Sequence, residues 1–158
     1  MATINERMTV EMEGDFVVFL IGMRINKFWK IHKWLPVAAA MPKMLKELSM
    51  NPESGLLGFQ IAGTLQPVVI QYWKSFEHLE AYAKDRNSAH YPAWKAFNTN
   101  IRSNGDVGIW HETYQVKAGN YECVYNNMPR YGLGKVGTLV AATGNKASAA
   151  QRMMKGSF

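Results

Sequence analysis

An α+β domain with strands and helices in the order β-α-β-β-α-β is the fold this sequence predicts, and three observations predict it. Short runs rich in β-branched and aromatic residues recur along the chain, with helical stretches between them. The composition is 47% hydrophobic and 19% charged, which is that of a globular chain rather than a disordered one. A length of 158 residues suits one domain able to bury a core without staples.

The first strand is Phe16–Ile25, apolar throughout and so expected to be buried on both faces. Asn26 then reads as a helix cap. Residues 27–49 are helical in character, but Pro36 and Pro42 each remove a backbone donor, which predicts two pieces or a kink. Residues 51–55 form a turn. Leu56–Ala62 is the second strand and Val68–Trp73 the third, with Pro67 at its start.

Ser75 caps the next helix, whose apolar face is Phe76, Leu79, Tyr82 and Ala83. Asn87 and Ser88 interrupt it. Pro92 suits the first turn of a further helical piece, with Trp94, Phe97 and Ile101 on its inner side. A turn over 103–106 leads to the fourth strand, Val107–Val116. Residues 118–120 turn into a short fifth strand over 121–125.

From Met128 onward, small residues predict an extended arm and then a loose end. The expected division is a domain over 1–135 and a basic, flexible tail over 136–158.

This order is a ferredoxin-like unit with an extra C-terminal strand. Its helices cover one face of the sheet only. The other face is apolar too, and a second subunit would cover it, so a two-fold homodimer with sheets packed face to face is expected.

The net charge is +6. Five basic residues and no acidic one lie in 128–158; without them the chain has 13 basic and 12 acidic residues. The basicity is therefore a property of the C-terminal end. It points to a solvated tail rather than to a nucleic-acid site. The single Cys123 allows no internal disulfide and reads as an inert structural thiol. The first 15 residues are acidic where a signal peptide would be basic, and no apolar run is long enough to span a bilayer. A soluble cytoplasmic protein is expected. No metal-ligand spacing, nucleophile elbow, P-loop or dinucleotide fingerprint occurs.

Three of the four histidines and three of the five tryptophans fall in 71–116. That segment places rings and imidazoles on elements that pack together, the makings of an aromatic-lined pocket. His90 stands just before Pro92 and four residues before Trp94. His111 and Glu112 are adjacent on a strand, so they face opposite ways. Ile109, His111 and Thr113 share one face; Trp110, Glu112 and Tyr114 share the other. The sequence leaves open which face meets the helices. A buried Glu112 would need a partner, and Arg24 is the candidate. Tyr72 and Trp73 also alternate, so one of them faces the helices. His78 reads as a surface residue. His32, among Lys27, Trp29, Lys30, Lys33 and Trp34, lies on a stretch that suits a core-packing helix with a basic outer face, or else a membrane surface.

The blocks Tyr72-Trp73, 75–79, His90-Tyr91-Pro92-Ala93-Trp94 and Trp110-His111-Glu112-Thr113-Tyr114 resemble the dimeric α+β barrel superfamily. More narrowly, residues 3–135 resemble a bacterial monooxygenase branch of DUF4188 type, related to the antibiotic-biosynthesis-monooxygenase-like protein of the fumagillin pathway. The resemblance implies several chemistries on one scaffold. Some members oxidise aromatic polyketides with oxygen and no cofactor. Others bind haem, among them aldoxime dehydratases, through an axial histidine from a helix near the position of His90.

The expected function is that of a cofactor-independent monooxygenase acting on an aromatic or polyketide-like small molecule. His90 or His111 would be the catalytic base. Tyr72, Trp73, Trp94, Tyr114, Glu112 and Arg24 would form the substrate site. The alternatives are a haem protein with His90 as ligand, and a dimer that binds a small molecule without turnover.

Overall fold

The computed structural model describes residues 2–64, 66–102 and 104–154. Leu65, Ser103 and Lys155, within stretches discussed above, lie outside them. The main sheet is antiparallel and four-stranded, built from β2 (Phe16–Ile25), β3 (Leu56–Ala62), β4 (Val68–Trp73) and β5 (Val107–Val116), in the order β3-β4-β2-β5. Helices α1 (Ile31–Met50), α2 (Phe76–Lys84) and α3 (His90–Asn100) cover one face. This is the expected ferredoxin-like α+β arrangement.

Register sets what each face carries. Val17, Phe19 and Ile21 pair with Trp73, Gln71 and Val69 on one side and with Gln115, Thr113 and His111 on the other. In a pleated sheet these residues all point to the same face. That face meets the helices, because Val17 and Trp73 form a buried cluster with Leu48 of α1 and Leu79 of α2. Trp73 is fully buried, and its indole N–H donates to Gln71 Oε1 at 2.9 Å.

Several expectations need correction. A strand not expected from the sequence, β1 (Ile4–Glu11), forms the centre of a second sheet with β6 (Tyr125–Met128) and β7 (Thr138–Ala141). The fifth strand therefore starts at Tyr125 rather than 121, and it pairs with β1, not with β5. Residues 136–154 are not a loose tail. β7 pairs with β1 from Met8 to Glu11, and a short helix α4 (Ala149–Met154) follows. Arg152 Nε donates to Glu122 at 2.6 Å and Lys146 meets Glu11 at 2.5 Å. Two charges of the basic end, Lys146 and Arg152, are thus used in ion pairs that tie it down.

The second sheet also changes how the outer face of the main sheet is covered. Phe16 and Tyr72 bury against Val10 and Leu133, with Val18, Ile70 and Leu139 packed around them. The chain's own second sheet thus covers the part of the face that a partner subunit was expected to hide. The rest stays open, with Trp110 40% and Tyr114 50% exposed.

The helix starts at Ile31, not Asn26, and Lys30 in the cap position makes no side-chain capping bond. Pro36 and Pro42 both sit inside a single helix. They cost it two backbone hydrogen bonds, which are offset by burial of Leu45 and Leu48 on its inner side. Ser75 does cap α2, accepting from the His78 N–H. Its hydroxyl also lies 2.9 Å from His78 Nδ1, so that histidine is committed to the cap.

Candidate functional site

Between the helices and the main sheet lies a cavity of about 1310 Å³. Its floor is Phe19, Ile21, Met23 and Val69 from the sheet, with Ile109, His111 and Thr113 of β5. Its roof is the inward stripe of α1, where His32, Pro36, Ala40 and Met44 recur every fourth residue, together with Leu79 of α2 and His90, Trp94 and Phe97 of α3. The walls are apolar apart from a few polar groups, among them His90, His111, Thr113 and, at the rim, Lys33 and Arg86.

His111 reaches this cavity because it pairs with Ile21, whose side chain faces the helices. Its ring packs against Phe19 at 5.6 Å between centroids. The pleat that turns His111 inward turns Glu112 outward. Glu112 and Tyr114 sit on the opposite face, where the Tyr114 hydroxyl donates to Glu112 Oε2 at 2.6 Å. That bond and the charge of Glu112 raise the Tyr114 pKa.

Arg24 pairs with Gly108, whereas Glu112 pairs with Leu20. The two are therefore four residues apart along the sheet, roughly 13 Å, and the expected ion pair does not form. Tyr72 also points away from the helices, into the cluster under the second sheet. Trp73 points toward them but is sealed in the core. Of the expected substrate-binding set, Trp94 alone lines the cavity; Tyr72, Trp73, Glu112, Tyr114 and Arg24 do not.

His90 opens α3, and a small network places it there. Glu47 of α1 accepts from the Ala89 backbone N–H at 2.8 Å and from the Tyr82 hydroxyl at 3.3 Å. The Tyr82 ring lies 6.0 Å from His90 and 6.1 Å from Trp73. Burial and the Glu47 charge push the Tyr82 pKa far up, so it stays a neutral donor. Replacing Glu47 with alanine strands the Ala89 N–H and is expected to cost about 1–3 kcal/mol. Faster amide hydrogen exchange at Ala89 and His90 would check it.

His90 Nδ1 is buried with no hydrogen-bond partner among the described residues. Desolvation holds the His90 pKa below its ordinary value of 6.5. A buried N–H without an acceptor is rarer and costlier than a bare acceptor nitrogen. The neutral ring therefore carries its proton on Nε2. The same geometry makes stability depend on pH. Below 6.5 the unfolded chain takes up a proton that the folded chain refuses, so stability falls as pH falls from 6.5 toward the depressed folded value. Thermal melts from about pH 5 to 8 should show a shallower acid loss in His90→Asn than in the parent.

The cavity bears on the haem alternative as well. A metal-bound imidazole gives its second N–H to an acceptor that orients it. Among the described residues Nδ1 meets none, so the part of the chain around His90 does not fit an axial ligand.

Two features of the wall went unread in the sequence. His32 faces the cavity, and so do Met41 and Met44 of α1. The four-residue spacing of His32, Pro36, Ala40 and Met44 was the available signal.

A ferredoxin-like α+β chain with an apolar, histidine-bearing cavity under its helices is thus the class defined. The family model described as "Monooxygenase af470-like" matches residues 16–133, and the chain belongs to that family. No curated protein matches the sequence.

Among solved structures it is similar to an aldoxime dehydratase crystallised with butyraldoxime, at 12% identity and a TM-score of 0.68 over 96% of this chain. This chain spans 42% of that protein. It is also similar to a protein described as an antibiotic biosynthesis monooxygenase from Caulobacter crescentus CB15, at 13% identity and a TM-score of 0.45, over 63% of this chain and 89% of the other. A dimeric protein of unknown function and ferredoxin-like fold from Bacteroides fragilis NCTC 9343 matches at 11% identity and a TM-score of 0.43, over 63% of this chain and 96% of that one. At these identities the likeness concerns the fold. No helix among the described residues is long and apolar enough to cross a membrane.

Proposed function

We propose that this protein is a cofactor-independent monooxygenase of an electron-rich aromatic or polyketide-like small molecule. One observation carries the reading: three histidines from different elements, His32, His90 and His111, line a single apolar cavity, and His90 and His111 are the two that strand register and the α3 network place on its sheet and helix walls. A volume of about 1310 Å³ exceeds that of the usual drug-sized pocket, which suits a fused-ring or extended substrate.

His111 is the base. His90 is the worse candidate, since accepting a proton on Nε2 would also require one on Nδ1, which no described residue receives. Its Nε2–H is better used as a donor to the substrate oxygen that gains charge. His111 takes a proton from an activated CH2, and the resulting carbanion passes its electrons to dioxygen. One oxygen atom stays on carbon as C=O and the other leaves as water, so CH2 plus O2 becomes C=O plus H2O with no outside reductant. Trp94, Phe97 and Phe19 pack against the ring system.

The working unit is proposed as a homodimer. Trp110 and Tyr114 are exposed together on β5, an open edge strand of ten residues, and such edges are normally covered.

The test is oxygen uptake with electron-rich fused-ring substrates that carry a ring CH2 activated by a neighbouring carbonyl or aryl group, in chelator-treated buffer. Uptake with equimolar ketone formation is expected without additives. A reaction that runs only after haemin, flavin or a metal ion is added would sink the proposal.

A further inference from the structure

The start of α1 carries a surface that the reaction does not use. Phe28 and Trp29, on the turn before the helix, are 53% and 75% exposed, and Ile31 and Leu35 on its first turns are 54% and 51% exposed. Of the two readings of this stretch, a core-packing helix with a basic outer face or a membrane surface, the first does not hold for Phe28, Trp29, Ile31 and Leu35, which are exposed. Its inward residues line the cavity, and its largest apolar side chains face out.

Basic residues flank these rings in the sequence and continue along α1. From Arg24 to Lys46 the sequence holds six basic residues and no acidic one. Asp106 comes close in space, but it is buried and takes Lys27 and Lys30 at 2.8 and 2.9 Å. Glu47, the next acidic residue on the helix, accepts from Ala89 and Tyr82. Lys43 and Lys46 are exposed on the same helix, and Arg24 is exposed beside the turn.

We propose that this surface docks on an anionic lipid bilayer. Phe28 and Trp29 enter the headgroup boundary, where amphipathic rings are favoured, and the exposed Arg24, Lys43 and Lys46 lie over the lipid charges. Charge selects this occupant over a second copy of the chain. A two-fold contact through the patch would set its cations against themselves. His32 and Lys33, next to Ile31, line the cavity, so docking brings the membrane to the cavity rim. The inference does not depend on the reaction proposed above.

Co-sedimentation with vesicles tests it, using phosphatidylcholine alone and with about 30 mol% phosphatidylglycerol. Binding to the anionic vesicles is expected, with release near 0.5 M salt, roughly where screening reaches ~4 Å. The Phe28→Ser/Trp29→Ser variant should partition about tenfold less or weaker still, and Lys43→Glu/Lys46→Glu should weaken binding with the aromatic pair intact. Unchanged melting of both variants, whose altered side chains are all exposed, shows that they are folded. Failure to bind anionic vesicles, or equal binding to both lipids, overturns the proposal. So does a shift of Phe28→Ser/Trp29→Ser to a smaller species in size exclusion without any vesicle binding by the parent, which would assign the patch to a second copy.

Discussion

Replacing His111 with alanine lowers kcat about 10²- to 10⁴-fold, the range for losing a positioned general base, and leaves folding stability almost unchanged. His111 is exposed on an edge strand, and substitutions at such sites usually change stability by less than about 0.5 kcal/mol. The proton-transfer step can be isolated. With oxygen excluded, the parent exchanges the acidic C–H of the substrate for deuterium from solvent; His111→Ala should not. His90→Ala should keep the exchange at a reduced rate, because His90 stabilises the charge rather than removing the proton. Exchange and turnover that both survive in His111→Ala would refute the assignment. Loss of both in His90→Ala, with His111→Ala unaffected, would reverse the two roles.

Trp73→Ala is expected to cost about 3–5 kcal/mol, the largest single loss of stability in the chain. A typical domain has only about 5–15 kcal/mol in total. Trp73 is 0% exposed and joins β2, α1 and α2 through Val17, Leu48 and Leu79. Truncation leaves a void that these elements can fill only in part. It also removes the donor to Gln71 Oε1, whose side chain is 5% exposed, so a buried carbonyl is stranded as well. Trp73→Phe keeps a ring against Tyr82 and should lose clearly less. Denaturant midpoints of the two variants measure the difference. A cost below about 1 kcal/mol for the alanine variant would mean that the core does not pivot on this residue.

The strands and helices of the main layer were legible because each declares itself locally. Phe16–Ile25 is apolar without a break, and α2 has a serine cap before a helical stripe. β1 was not legible. Its sequence, Ile4–Glu11, is mostly polar, and its partners β6 and β7 lie more than a hundred residues away along the chain. Only those pairings make it a strand. The end of the chain misled for a related reason. Small residues usually mark loose ends, but here Gly132, Leu133 and Gly134 are buried under the second sheet.

For the site, alternation along β5 split its residues into two sets, His111 with Ile109 and Thr113, and Glu112 with Trp110 and Tyr114. A period of two is symmetric and does not say which set faces inward. The exposed turn at Phe28 and Trp29 was ambiguous in the same way, since apolar residues beside lysines suit both a core stripe and a surface.

The sequence by itself determined the α+β class, the order of the main elements and the short list of imidazoles that chemistry would need, because periodicity and capping act within a few residues. Only the tertiary structure decided that His90 and His111 share a cavity while Tyr72, Glu112, Tyr114 and Arg24 lie outside it. Strand register and the choice of the face that receives the helices come from pairings between distant segments, and no local pattern contains them.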